Sequence, residues 1–417
     1  MSSYTQRASM AEVDRLLGEL FSNPACAADP YPTYHRLRAV APVARSEAGH
    51  WVLSGHAEVV EVLRSSEVGK DVQSFIRAQG VENWADHPSY TRVLEHLMWA
   101  NPPKHTRQRK LVSKGFTAHS IAKLEPKIEQ LVDELLTPLC EKAGEVDLLR
   151  EFAFPLPAAV ISEIIGVPRA DWPRFQQLFR DVTLSMEPRP SQAQLATADG
   201  AAIEINEYFE ELIAERRKNP ADDLVSTLLA VEENGEQLTH RELMSLVQFL
   251  FGAGFESTTN LIGNGMLALL RNPDQMHALR SEPDLVSGAV EELLRYDASV
   301  QLSPRTARND LRLGDVTIPA GESIVTLLGA ANRDPSRYRD PDRLDVRRTE
   351  VKPVSFGGGI HFCLGAALAR LEGRIAFQGL MRRFSRIELS EEPVWKTSLT
   401  LHGLQGLRVD LTPFPKR

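Results

Sequence analysis

Three glycines, a histidine and a cysteine crowd into Ser355-Phe356-Gly357-Gly358-Gly359-Ile360-His361-Phe362-Cys363-Leu364-Gly365. Downstream, Leu364, Leu368, Leu371 and Ile375 recur at spacings of four, three and four, which predicts an amphipathic helix with Cys363 at its N-terminal end. Unsatisfied N–H groups and the positive end of the macrodipole favour an anion there and lower a thiol's pKa. Cys363 is therefore placed to act as a thiolate, either a nucleophile or a metal ligand. Gly357 to Gly359 remove the Cβ atoms that would keep a backbone, or a flat cofactor, away from the sulfur. A lone cysteine more often packs as a small hydrophobe, so its neighbours must decide.

They fit Phe-Gly-x-Gly-x-His-x-Cys-x-Gly at every specified position, and the string resembles the haem-binding loop of the cytochrome P450 family. The resemblance implies haem b, with Cys363 as the axial thiolate that pushes electron density onto the iron and favours O–O cleavage. Phe356, Gly357, His361 and Gly365 are the further loop positions it assigns to the haem. It also implies a mainly α (α+β) fold with small sheets, formed as one domain over residues 1–417, with haem between a long distal helix and the cysteine loop.

The long helix is legible without the resemblance. Thr239 and Glu242 have capping-box spacing and Asn272-Pro273 ends the pattern. The span is roughly 32 residues, or about 48 Å at 1.5 Å per residue. Phe251-Gly252-Ala253-Gly254-Phe255-Glu256-Ser257-Thr258-Thr259 lies in its middle, where each glycine costs about 1 kcal/mol relative to alanine. Close helix packing is one compensation, with the hydroxyls bonding back to carbonyls a turn earlier. The family's oxygen-binding groove is the other, and Ala253, Gly254, Glu256 and Ser257 match its small pair, acid and alcohol. Oxygen activation consumes protons, and a carboxylate beside a hydroxyl can hold the water that delivers them. The family's usual alcohol is threonine. Ser257 keeps the hydroxyl but lacks the methyl that stiffens χ1, so it is expected to release more peroxide than a Ser257→Thr variant.

Glu292 and Arg295 share a helix face, by themselves an ordinary ion pair. The run Asn332-Arg333-Asp334-Pro335 to Asp342-Arg343-Leu344-Asp345 resembles the family segment that completes a Glu-Arg-Arg network, which assigns Glu292, Arg295 and Arg343 to structural support. His105 and Arg109, four apart, together with Arg305 and His361 match donors to the haem propionates, as charge-assisted bonds that would fix orientation. Lys104, Arg107, Arg109, Lys110 and Lys114 concentrate positive charge in an acidic chain. They read equally as an ordinary solvated helix face or as a surface that steers an acidic ferredoxin.

The chain has 417 residues, 42% hydrophobic, and a formal net charge of −8. No Gly/Ser linker or repeat divides it, and the charge gives no footprint for nucleic acid. Its first residues lack a signal-peptide pattern, no window approaches a membrane span, and Cys26, Cys140 and Cys363 are too few and too far apart for a disulfide framework. A cytoplasmic monomer is expected, served by ferredoxin and ferredoxin reductase.

Helical patterns fill Ile121–Cys140 and Ala201–Lys218, and a helix opens at Asp29-Pro30-Tyr31-Pro32. Val43 to Arg45 and Trp51 to Leu53 flank Ala48-Gly49 as a hairpin. Leu311–Leu313, Val316–Ile318 and Ile324–Leu328 suggest one small sheet, and a last strand pair is expected between Ser398 and Leu411. Phe251, Leu302 and Leu399 stand as apolar pocket-wall positions or as core. The stretches Ser74–Trp99 and Leu184–Gln194 are candidate lid and roof. The expected reaction is insertion of one oxygen atom of O2 into a C–H bond or alkene of an apolar small molecule such as a macrolide, polyketide or terpenoid. The alternatives are a non-catalytic haem-thiolate gas or redox sensor, or a cysteine enzyme without haem.

Overall fold

The structure is a computed structural model that describes residues 3–47, 49–78, 80–186, 190–233 and 238–415. Helices dominate, and the one that matters most runs His240–Arg271 over 32 residues. Both arms of its capping box form: Glu242 N donates to Thr239 Oγ1 at 3.2 Å, and Thr239 N donates to the Glu242 carboxylate at 2.9 Å. The helix Gln192–Lys218 starts nine residues before the expected Ala201, because Ser191 and Gln194 make a second reciprocal capping box. Ala118–Lys142 and Tyr31–Val40 extend the other two expected helices.

Strands β1 (Val43–Arg45) and β2 (Trp51–Leu53) pair antiparallel as expected, although Ala48 of their turn lies outside the described residues. The remaining sheets correct the expectation. Strands β6 (Leu311–Leu313) and β7 (Val316–Ile318) form a hairpin by themselves. Strand β8 (Ser323–Leu327) instead joins a five-stranded sheet in the order β1-β2-β8-β5-β3, with β5 at Leu302–Ala307 and β3 at Val68–Gly69. The Pro304 within β5 hid that strand from the sequence. The final pair is also wider than expected: β10 (Arg408–Pro413) lies between β4 (Gly144–Asp147) and β9 (Phe384–Leu389), so its partners fall before Ser398.

The chain resolves into two compact units, neither continuous in sequence. One comprises Met1–Gly69, Glu125–Leu156 and Glu256–Arg417; the other comprises Lys70–Leu124 and Pro157–Phe255. One of the four boundaries, Phe255/Glu256, falls inside the unbroken helix His240–Arg271 and another inside Ala118–Lys142, so no linker composition marks them. In the first unit, Val59, Val62 and Leu63 of the helix His56–Arg64 pack with Leu53, Ile324 and Leu328 under the five-stranded sheet. In the second, Ile76, Val81, Tyr90, Val93 and Trp99 of the candidate lid form a small core with Leu195. Gln79 of that lid and residues 187–189 of the candidate roof lie outside the described residues.

Burial lowers the pKa of His96 well below the ordinary imidazole value, and the nearby Arg92 charge lowers it further. The folded chain therefore keeps His96 neutral, while the unfolded chain takes up a proton near pH 6.5. Stability should be full above about pH 6.5 and fall as the pH drops below it, by up to about 1.4 kcal/mol per pH unit for this one group. Urea midpoints at pH 7.5 and 5.5 should converge in His96→Phe; an unchanged gap would place the acid sensitivity elsewhere.

Candidate active site

The cysteine loop is closed by its own backbone. Gly357 N donates to Val354 O at 2.8 Å, Phe362 N to Gly359 O at 3.1 Å and Cys363 N to Phe356 O at 2.9 Å. Gly357 and Gly359 take φ of +69° and +63°, the left-handed region that glycine enters without penalty. At Gly359 a Cβ would also lie 2.4 Å from Leu63 O in the helix His56–Arg64. Gly365 caps the helix Ala366–Arg383, so Cys363 stands just ahead of its first turn, as its periodicity implied. The Phe356 ring is held beside Phe362 and under the Arg370 guanidinium, 4.5 Å away, which is itself paired with Glu291.

None of the three cysteines is in a disulfide, and Cys363 is the exposed one. Among the described residues no cluster of three or more His, Cys, Asp or Glu side chains could hold a metal. A metal at Cys363 must therefore bring most of its own ligands, as iron in a porphyrin does.

The cations test that fit. Arg305, on β5, is 5% exposed, and its guanidinium donates to Ser303 Oγ at 2.6 Å and Pro304 O at 2.8 Å. No ion pair reaches it among the described residues, and burial pushes its pKa down to about 10. A buried cation without a counter-anion is costly, and a haem propionate would supply the anion. His361 ends a short turn, Gly359–His361, in the same unit. In the other unit His105 is buried and Arg109 half-buried, one helical turn apart on Lys104–Val112. Burial, and then the Arg109 charge, lower the His105 pKa.

In the long helix, Phe251 and Phe255 are buried while Ala253 between them is exposed. The glycines answer to packing: a Cβ at Gly252 would lie 2.3 Å from the Phe179 ring, and one at Gly254 would lie 2.5 Å from Ile161. Gly254 thus turns its missing side chain toward the helix Pro155–Ile165, which leaves Ala253 as the small residue with an open face.

Ser257 is half-buried, and Glu256 is not alone. The Lys396 ammonium pairs with the Glu256 carboxylate and reaches Asn260 Oδ1 at 3.3 Å. Lys396 is carried on a turn tied by Lys396 N to Gly403 O at 2.9 Å and by Trp395 stacked on His402 at 4.2 Å. Nothing in its local sequence announces a partner for Glu256, because the two are 140 residues apart.

The supporting network forms with one substitution of membership. Arg295 and Glu292 are fully buried and joined twice, at 2.7 and 2.8 Å. The third member is Arg348, whose Nε meets Glu292 at 3.2 Å, not Arg343. Arg343 is exposed and contributes its backbone carbonyl, which accepts from Arg295 Nη2 at 3.2 Å. The chain turns over Arg343–Asp345, so the carbonyl faces inward while Asp345 N donates to Glu292 at 3.0 Å.

Of the three pocket-wall positions, Phe251 and Leu399 are buried and Leu302 is half-buried. Phe251 sits in an aromatic cluster with Phe175, Phe179, Phe209 and Phe255. Leu399 is buried with Val13, Leu16 and Tyr34, and Leu302 packs against the same cluster. The basic stretch is also partly spent, with Lys104 paired to Glu95 and Arg107 to Glu242.

The comparisons with known proteins agree with this geometry. The family model described as Cytochrome P450 matches residues 54–405. Cytochrome P450 107B1 of Saccharopolyspora erythraea is 42% identical over 399 residues, covering 92% of this chain and 96% of that one. The polyketide biosynthesis cytochrome P450 PksS of Bacillus subtilis is 35% identical, with 92% and 96% covered. A crystal structure of the myxobacterial cytochrome P450 CYP267B1 in complex with myristic acid superposes with a TM-score of 0.87 at 36% identity, covering 96% of this chain and all of the other. A thiol ahead of a helix, a buried uncompensated arginine and a family match across most of the sequence lead to one assignment: the chain belongs to the cytochrome P450 family, the haem-binding monooxygenases.

Proposed function

We propose that the whole chain is one catalytic domain that inserts an oxygen atom from O2 into a C–H bond or alkene of an apolar small molecule. Haem, when bound, supplies the oxygen-activating chemistry. The observation that carries the reading is the exposed Cys363 in a loop whose conformation only glycine allows, with the buried Arg305 still lacking an anion. Cys363 is the thiolate ligand, Phe356, Gly357 and Gly365 shape the loop around it, and His105, Arg109, Arg305 and His361 hold the propionates. Ala253 leaves room on the helix face, and Gly254 brings that helix close to its neighbour.

Glu256 and Ser257 hold and pass protons. Lys396 and Glu256 are each about a quarter to a third exposed, so their pair is the end of the relay that solvent reaches. Lys396→Met should leave Glu256 without its tether and raise peroxide released per electron pair severalfold, while Ser257→Thr should lower it. Equal yields in all three proteins would remove both assignments.

Tailoring of a polyketide, macrolide or terpenoid is the reading of substrate class, supported by the relative named for polyketide biosynthesis. Electrons come from ferredoxin and ferredoxin reductase. The basic stretch Lys104 to Lys114 is the face that would steer an acidic ferredoxin, and reduction by ferredoxin should slow with salt and in Lys110→Glu. No described helix is long and apolar enough to cross a membrane, and a cytoplasmic monomer is the proposed working form. A reduced carbon-monoxide difference spectrum tests haem-thiolate ligation. Substrate-dependent oxygen consumption then separates an enzyme from a sensor.

A further inference from the structure

Arg92 lies in the short helical turn Arg92–Glu95 of the candidate lid, and its Nε and Nη1 are buried with no hydrogen-bond partner among the described residues. One turn on, His96 is 5% exposed and its Nε2 is likewise without a partner. The Arg92 guanidinium stands 5.9 Å from the Phe179 ring centre, and the His96 ring stands 5.2 Å from Phe249. Phe179 fills the space beside Gly252, one residue before Ala253. Two Arg92 nitrogens and one imidazole nitrogen without partners thus each stand against an aromatic ring, Phe179 for Arg92 and Phe249 for His96.

Such a pair is costly to maintain. Arg92 is half-buried, and its two covered nitrogens lose hydration that no side chain replaces; the orphaned buried ring nitrogen of His96 adds its own desolvation cost. Among the described residues no carboxylate offsets the Arg92 charge, and burial pushes its pKa down to about 10. A group left unsatisfied at a fixed place in a fold is one that a ligand can satisfy.

We propose that Arg92, with His96 beside it, is an anchor for an anionic oxygen group, a carboxylate, on an otherwise apolar substrate. The guanidinium provides the fork geometry that matches a carboxylate, and the Phe179 ring beside it would meet the apolar part. This deepens the monooxygenase reading and rests on it.

The test is a spin-shift titration of the haem-loaded enzyme with myristate and with methyl myristate, in wild type, Arg92→Met and Arg92→Lys. In wild type myristate should bind about tenfold or more tighter than its ester, the discrimination expected of a charge-assisted hydrogen bond. Arg92→Met should abolish the preference, and Arg92→Lys should keep part of it. Without ligand, Arg92→Met should melt at the same temperature as wild type or higher, since it removes a half-buried charge whose covered nitrogens have no partner. Equal binding of acid and ester by wild type, no shift with either, or a lower melting temperature in Arg92→Met each overturns the anchor. Failure of the carbon-monoxide spectrum in wild type would instead overturn the haem-thiolate reading beneath it.

Discussion

Glu292→Ala should destabilise the protein by about 3–5 kcal/mol, the cost of leaving a buried charge without its partner. Arg295 is fully buried and donates to both carboxylate oxygens of Glu292; it also donates to the carbonyls of Asn332 at 3.1 Å, Pro341 at 2.7 Å and Arg343 at 3.2 Å. Alanine at 292 strands that guanidinium and releases Arg348 and the Asp345 amide as well. Arg295→Leu should cost less, because Glu292 would keep Arg348 and Asp345. Arg348→Ala should cost less again, and Arg343→Ala, which removes an exposed side chain, should lie within about 0.5 kcal/mol of wild type. Urea unfolding of the four variants gives the order. An Arg343→Ala protein as damaged as Arg348→Ala would restore the membership first read from sequence.

The damage should reach the haem. Asn332 receives Val354 N on its Oδ1 at 2.8 Å and donates to Ser355 Oγ at 2.8 Å, while Ser355 Oγ donates to Leu294 O at 2.7 Å. These bonds fasten the start of the cysteine loop to the helix that carries Glu292 and Arg295. Loosening the pair therefore loosens the loop, and haem retained per protein in Glu292→Ala should fall with the stability.

Glu292 and Arg295 were legible because they are one turn apart on one helix; the third member was not, because its choice depends on how an irregular segment folds back. Arg343 and Arg348 are five residues apart, and only the turn between them decides which side chain points inward. The same division runs through the site. Cys363, Gly359 and the capping box at Thr239 are local patterns whose geometry follows from neighbouring residues. Lys396 beside Glu256, and the aromatic cluster that claims Phe251, arise from segments far apart in sequence. Spacing carries no record of them. Gly252 and Gly254 show the limit most closely: a pattern of small residues announced close approach, but only the packing identified Phe179 and Ile161 as what approaches.

Cys363→Ser should abolish the thiolate spectral signature and the monooxygenase activity while leaving the fold in place. The backbone N–H of residue 363 donates to Phe356 O, a bond that serine keeps, and its side chain is exposed. What changes is the ligand: a serine hydroxyl is far harder to ionise than a thiol, even with a helix N-terminus behind it. Cys26→Ser and Cys140→Ser should retain signature and activity. Gly359→Ala supplies the converse, keeping the sulfur but putting a Cβ at a left-handed φ and 2.4 Å from Leu63 O. It should lose haem through loop geometry and lower the melting temperature as well. The two variants separate what the loop contributes as chemistry from what it contributes as shape. A Cys363→Ser protein that kept the thiolate spectrum would remove Cys363 from the site.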